Sequence, residues 1–488
     1  MIQKKTKIVA TISDLRCDVD FLRSLYEEGI NVVRMNSAHM TEEGFVKVMT
    51  NVRAVSPRIG IMMDTKGPEI RTTATASGEK IAVKTGDKVK VIGDINFLST
   101  PEQISTSYPS IVADVPVGGT LLIDDGETAL KVVDKTSEYL LCEVQNDGTI
   151  GSRKSVNIPG VSVNLPSITA KDKRSIEIAI ANKADFIAHS FVRHKQDVLD
   201  VQKILDEHNS PIKIIAKIEN QEGVDNIDEI FETAYGVMVA RGDLGIEVPQ
   251  EKIPAIQRLL IRKAIEYKKP VIVATQMLHT MIENPRPTRA EVTDIANAVY
   301  YGTDAVMLSG ETAYGKYPVE AVRAMAQICA TTEQSKLDEK AIPVPFKDSE
   351  YDTTSFLSKQ AVKAATQLGL TAIITDSFTG RTARTIAAFR SKCPVYAVCC
   401  SEEVVRQLSV CYGVEATYQE STGFTTHKHK AYFLKSLQTL LERGLIKKED
   451  QVAYLSGTFG EGKGTSFLEI NGVGRVVDAA ESFEVPVD

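Results

Sequence analysis

Eight short apolar runs constrain this chain more than any other feature. They read KIVATIS, INVVRMNS, GIMMDTK, ADFIAHSF, KIIAKIE, GVMVARGD, VIVATQ and AVMLSGE, and each ends in polar residues before a helical pattern begins. Near-continuous apolar strands alternating with helices belong to a parallel sheet covered on both faces. Eight such units are enough to close a (β/α)8 barrel, so the expected fold class is α/β with that barrel at its centre.

The connection between the third and fourth runs is far too long for a loop and must be a domain of its own. Within it, KIAVKTGDKVKVIG, TLLIDDGETALKVV and YLLCEVQNDGTIGS alternate apolar and polar residues around DDG and NDG turns, the pattern of a small all-β module that would lie over the barrel mouth as a lid. The barrel is then discontinuous, residues 1–69 and 169–342, with the lid at 70–168. The Pro-rich, charged stretch AIPVPFKDSEYD reads as a linker. A C-terminal α/β unit at 343–488 follows, with strands expected at TAIITDS, PVYAVCC, VEATYQE, QVAYLSG and FLEINGV.

Composition removes several classes of function. Lys plus Arg total 57 against 64 Asp plus Glu, a formal charge of −7 with no basic stripe, which argues against nucleic acid as a partner. No segment approaches the roughly 20 apolar residues of a membrane span and the N-terminus lacks a signal-peptide core, so no membrane partner and a cytoplasmic location are expected. Seven cysteines, an odd number without any CxxC pair, fit reduced thiols, with Cys399 and Cys400 at a strand end.

In IKIIAKIENQEG, Lys217 and Glu219 sit two apart at the end of an apolar strand and therefore face the same way. The other runs also end in polar groups: Arg34 and Asn36, Asp64 and Lys66, Ser190, Asp243, Thr275 and Gln276, Ser309 and Glu311. Barrel active sites lie at the C-terminal strand ends, so these groups should meet in one pocket. Glu219 and Asp243, on neighbouring strands, suit a hard divalent cation such as Mg2+ or Mn2+. With Arg34 and Lys217 beside them they form the parts needed for phosphoryl transfer, where catalysis is positioning and charge neutralisation. A lone Lys-x-Glu is commonly a structural ion pair; so many charges buried together require a ligand or metal to offset them. Paired carboxylates also occur in glycosidases, but the adjacent lysine argues against that use.

The segments MNSAH, DTKGPEIRT, NLPSITAKD, IIAKIEN, MVARGDLG, ATQMLHTMIENPRPTRAEVTDIANAV and GTDAVMLSGETAYGKYP together closely resemble the pyruvate kinase family, over essentially the whole chain. The resemblance implies phosphoenolpyruvate and ADP as substrates, a C-terminal regulatory domain and a homotetramer. It implies that Glu219 and Asp243 bind the divalent ion, that Lys217 and Arg34 hold the transferring phosphoryl group, and that the backbone N–H groups of Gly242 and Asp243 take the substrate carboxylate. Thr275 falls beside the enolate carbon, leaving Thr275, Ser309 and water as alternative routes for the final proton. Arg71 and Lys171, at the two lid hinges, match positions that contact the nucleotide phosphates.

In potassium-dependent members a K+ ion is held by the Asn and Ser of NFSH and by the Asp and Thr of DTKGPE. This chain keeps Asn36, Asp64 and the Thr65 carbonyl, but Ala38 replaces the serine. Glu69 is the residue type that accompanies K+ dependence, where a lysine would supply the charge internally. K+ should therefore be required and weakly held, with water or Ser37 replacing the missing oxygen.

SFTGRTAR suits an anion at a helix start. The resemblance implies a phosphorylated effector there, held by Ser377, Thr379, Gly380 and Thr382, with Lys463 opposite; the alternative is a plain capping turn. GTFGEGKG nearly spells a GxxxxGK[ST] loop, but Gly464 replaces the hydroxyl residue and a strand pattern follows, which excludes it. HKH at 427–429 reads as a solvated helix start, and His189 and His279 receive no role. The rival readings are a Mg2+-dependent barrel lyase that condenses enolates and a catalytically dead sugar-phosphate sensor. The first has no use for a lid hinged by Arg71 and Lys171, and the second does not need Lys217, Glu219, Asp243 and Thr275.

Overall fold

The eight apolar runs form the eight strands of a closed parallel barrel in the computed structural model, which describes residues 2–38, 40–335, 352–420, 426–457 and 464–482, leaving out the side chains of 426–431 and 480–482. They are β1 (Lys7–Thr11), β2 (Val32–Asn36), β3 (Gly60–Asp64), β4 (Phe186–His189), β5 (Lys213–Ile218), β6 (Gly236–Ala240), β7 (Val271–Ala274) and β8 (Ala305–Leu308). Neighbours pair in sequence order and β8 closes onto β1, with Lys7 opposite Ala305. The runs lack polar alternation because both faces are buried. Val9, Met62, Phe186 and Ile272 fill the barrel, while Ile8, Met35, Ile61 and Val273 pack outward beneath the helices.

The inserted lid has its own core, with Val89, Leu121, Leu130 and Cys142 buried on alternate strand positions. Its six-stranded sheet runs in the order 156–157, 120–123, 128–135, 140–144, 88–92, 103–105. The DDG turn closes the expected hairpin, Ile123 opposite Thr128, with Asp124, Asp125 and Gly126 all at positive φ. The NDG segment does not join its own flanking strands. Asn146 accepts from Ala129 N (2.9 Å) and donates to Glu127 O (2.8 Å), and the chain then leaves the sheet so that Gly148–Ile150 pairs with Ile81–Val83.

All five expected C-terminal strands are present: β9 (Ala372–Ser377), β10 (Val395–Cys399), β11 (Val414–Tyr418), β12 (Gln451–Ser456) and β13 (Phe467–Gly472), ordered β11-β10-β9-β12-β13 with only β13 antiparallel. This sheet lies at the closed end of the barrel. Asp185, just before β4, binds Arg406 Nε (2.7 Å) and Arg53 Nη2 (2.7 Å), and the Tyr235 hydroxyl donates to Gln407 O (2.9 Å). Breaking the buried Arg406–Asp185 pair from one side costs about 3–5 kcal/mol, so the contact is a firm one. The open end, where the strands finish, is left to the lid. All seven cysteines are free, and no helix among the described residues is long and apolar enough to cross a membrane. Most of the linker and Lys463 lie outside the described residues.

Candidate active site

The strand-end charges meet as the period-two pattern requires. Lys217 Nζ lies 2.9 Å from Glu219 Oε1, 3.1 Å from Asp64 Oδ1 and 2.7 Å from Ser190 Oγ. Arg34 grips the other oxygen of Asp64 through Nε (2.7 Å) and Nη2, and its Nη1 reaches Thr11 Oγ1 (3.2 Å). Glu219 is 1 % exposed, its second oxygen accepting from Phe191 N at 2.6 Å.

Burial alone would drive the Lys217 ammonium toward neutrality, but Asp64 and Glu219 outweigh it and hold the charge above its usual range. Burial pushes the Asp64 carboxyl upward, yet Arg34 and Lys217 more than reverse this and keep it ionised. Glu219 goes the other way: burial, reinforced by Asp243, raises it above the ordinary carboxylate range despite Lys217. The difference is physical. Asp64 has two cations, whereas Glu219 shares Lys217 with Asp64 and faces another carboxylate. Such a pair is short of positive charge, which is what a divalent ion supplies.

These groups open into a cavity of about 510 Å3 beneath the lid, lined by Arg34, Lys66, Arg71, Arg153, Lys171 and Lys217 against Glu69, Glu219 and Asp243. Six cations against three carboxylates favour a polyanionic ligand. Asn36, Ala38, Thr65, Ser190 and Phe191 complete the wall.

The two connections to the inserted module converge on Asp172, whose Oδ1 accepts from Lys66 N (2.9 Å) and Gly67 N (3.2 Å) while Oδ2 caps its own helix through Thr169. Gly67 has φ +72, and a Cβ there would meet Phe191 at 2.7 Å and Ser190 at 2.9 Å, so only glycine fits. Arg71 binds Glu69 (2.8 Å through Nε) and Arg153 O (2.7 Å), and Lys171 Nζ reaches Ala38 O (3.1 Å).

Thr275 and Ser309 are not among the residues lining this cavity. Thr275 Oγ1 accepts from Gly242 N (2.7 Å) and donates to Ala274 O (2.6 Å), so the N–H expected to bind a carboxylate is capped by the threonine. Ser309 N donates to Glu311 Oε2 (2.7 Å). Of the expected K+ oxygens, Asn36 Oδ1 accepts from Ala38 N (3.0 Å) and the Thr65 carbonyl from Ser190 Oγ (2.7 Å). The buried Ser37 hydroxyl has no hydrogen-bond partner among the described residues, and Ser37 lines a neighbouring cavity with Met40, Lys171 and Ser175.

Ser190, recognised only as a strand end, links Lys217 to the Thr65 carbonyl, and His189, given no role, lies under the same loop with Nδ1 3.2 Å from Thr65 Oγ1. Burial lowers the His189 pKa to about 4, so it is neutral. A small serine between His189 and Phe191 carries no charge signal from which its wiring could be read. In the C-terminal unit, Thr382 Oγ1 lies 2.9 Å from Thr465 Oγ1, which brings the loop 377–382 beside the segment following Lys463.

Residues 3–322 match the family model described as pyruvate kinase, barrel domain, and residues 356–471 match pyruvate kinase, alpha/beta domain. The pyruvate kinase of Borreliella burgdorferi is 48% identical over 476 residues, covering 97% of this chain and 98% of that protein. That of Bacillus licheniformis is 43% identical over 481 residues, covering 97% of this chain and 81% of its own length. A crystal structure of a pyruvate kinase from Cryptosporidium parvum superposes with a TM-score of 0.89 at 37% identity, covering 96% of each chain.

Proposed function

The chain belongs to the pyruvate kinase family and transfers the phosphoryl group of phosphoenolpyruvate to ADP, giving ATP and pyruvate in glycolysis; from that premise we propose which of its residues perform each step. The observation that supports the assignment is the 510 Å3 cavity with its excess of cations around a buried carboxylate pair. Glu219 and Asp243 would hold Mg2+ or Mn2+, and the shortage of positive charge around the buried Glu219 fits such an ion. When bound, a divalent ion supplies Lewis-acid charge to the substrate's carboxylate and phosphate oxygens. Arg34 orients the phosphate, and Lys217 neutralises charge on the phosphoryl group as it departs. The Gly242 and Asp243 N–H groups take the carboxylate, displacing the Thr275 hydroxyl from Gly242. Thr275, so released, relays a proton to the enolate carbon. Arg71 and Lys171 bind the nucleotide phosphates, and lid closure excludes water.

The working units are the barrel (1–69 and 169–342), the lid (70–168) and a regulatory unit (343–488), assembled as a cytoplasmic homotetramer.

Asn36, Asp64 and the Thr65 carbonyl form an incomplete K+ site. Asp64 already receives Arg34, Lys217 and Ser190, so water or the unpartnered Ser37 hydroxyl must fill the fourth place. K+ should activate only at high concentration, and Ala38→Ser should lower its half-saturation by about threefold or more, as expected for one added oxygen ligand. Glu69→Lys should relieve the need, although it also frees Arg71 and Lys66 from their ion pairs. Full activity of the parent protein without K+ or ammonium, both substrates and Mg2+ saturating, contradicts the assignment.

Ser377, Thr379, Gly380 and Thr382, with Lys463, form an effector site for a phosphorylated sugar or nucleotide. Such a ligand should lower the apparent KM for phosphoenolpyruvate, and Thr379→Glu should abolish the response by placing a carboxylate against the anion. A broad panel without an activator would favour a simple capping turn.

A further inference from the structure

Thr275 and Gln276 are consecutive non-glycine residues in the left-handed region, φ 69 and 53. A β-branched residue is poorly suited to that conformation. Something must hold it, and the neighbouring loop supplies the grip. Arg241 Nε donates to Ala274 O (3.2 Å), and its Nη2 donates to Thr275 O (2.7 Å) and to Met277 Sδ (2.8 Å). Its Nη1 is anchored on both oxygens of Asp294 (2.8 and 2.7 Å), on the helix that follows β7. From the opposite side Glu311 accepts from Leu278 N (3.0 Å). The segment 274–278 is thus held through its carbonyls by a cation and through an N–H by an anion.

Arg241 directly precedes Gly242, whose N–H meets Thr275 Oγ1. Arg241 therefore fixes the backbone of Thr275, which keeps its place when the substrate carboxylate takes the Gly242 N–H and frees the hydroxyl. We propose that Arg241, anchored by Asp294, is a positioning residue that locks Thr275 in its left-handed conformation and so aims its hydroxyl at the site of enolate protonation. This rests on the role assigned to Thr275 above. A lysine would keep the charge but cannot reproduce a planar fork spanning Ala274 O, Thr275 O and Asp294.

The test is a double-mutant cycle read in kcat and in exchange of the pyruvate methyl protons with solvent. Arg241→Lys should lower both by about tenfold in the parent protein and by less than about twofold in a Thr275→Ala background, because the arginine acts through that side chain. A merely structural arginine would lower activity by the same factor in both backgrounds, and that result, or no loss at all, overturns the proposal. Asp294→Asn, which loosens the anchor without touching Arg241, repeats the cycle if Arg241→Lys does not fold. If Thr275→Ala itself leaves both rates unchanged, the role of Thr275 fails, a result distinct from failure of the clamp alone.

Discussion

Lys217→Met is expected to lower kcat by about 100-fold or more, roughly 2.7 kcal/mol of transition-state stabilisation, with little change in phosphoenolpyruvate binding. The reason is the wiring of the ammonium. It is buried, held charged by Asp64 and Glu219, and oriented by Ser190, so it presents a fixed positive charge with no reorganisation when the phosphoryl group leaves. Arg34 keeps its own hold on Asp64 and can still bind the phosphate in the ground state, which is why KM should change little. Removing one partner from a buried pair also costs stability, so thermal melts must show the variant folded at the assay temperature. Unchanged kcat would remove Lys217 from the mechanism.

Glu219→Gln and Asp243→Asn should each raise the Mg2+ concentration for half-maximal rate by at least about tenfold, or about 1.4 kcal/mol, because each removes a charged oxygen ligand from a hard cation. The two should differ in a second respect. Glu219 also binds Lys217 and Phe191 N, so its amide variant disturbs the neighbouring lysine and lowers kcat at saturating Mg2+. No side-chain bond of Asp243 restrains Lys217, so its variant should recover more of the parent kcat when Mg2+ is raised. Normal Mg2+ titrations in both variants would refute the metal assignment.

Most of the architecture was legible because it depends on burial. Strands covered on both faces must be apolar throughout, and strands at a barrel mouth must end in polar groups, so the eight runs and the positions of Arg34, Asp64, Lys217 and Glu219 could be read directly. What escaped was wiring between segments distant in sequence. Arg241 meets the Ala274 and Thr275 carbonyls 33 and 34 residues away and Asp294 53 residues away, and no spacing rule connects them. The left-handed backbone at Thr275 was invisible for a different reason: glycine marks such positions in a sequence, and a clamped threonine does not. The NDG segment was assigned a hairpin turn on local chemistry, but side-chain bonds from Asn146 to the adjacent hairpin redirect the chain.

This barrel mouth moves a phosphoryl group from phosphoenolpyruvate to ADP rather than condensing enolates or only sensing a phosphorylated ligand. The most direct test is to incubate the purified chain with phosphoenolpyruvate, ADP, Mg2+ and K+ and measure pyruvate and ATP together. Equimolar formation of both, dependent on ADP and on the divalent ion and slowed by about 100-fold or more in Lys217→Met, is the predicted result. Pyruvate without ATP, a condensation product, or no turnover at all would contradict it.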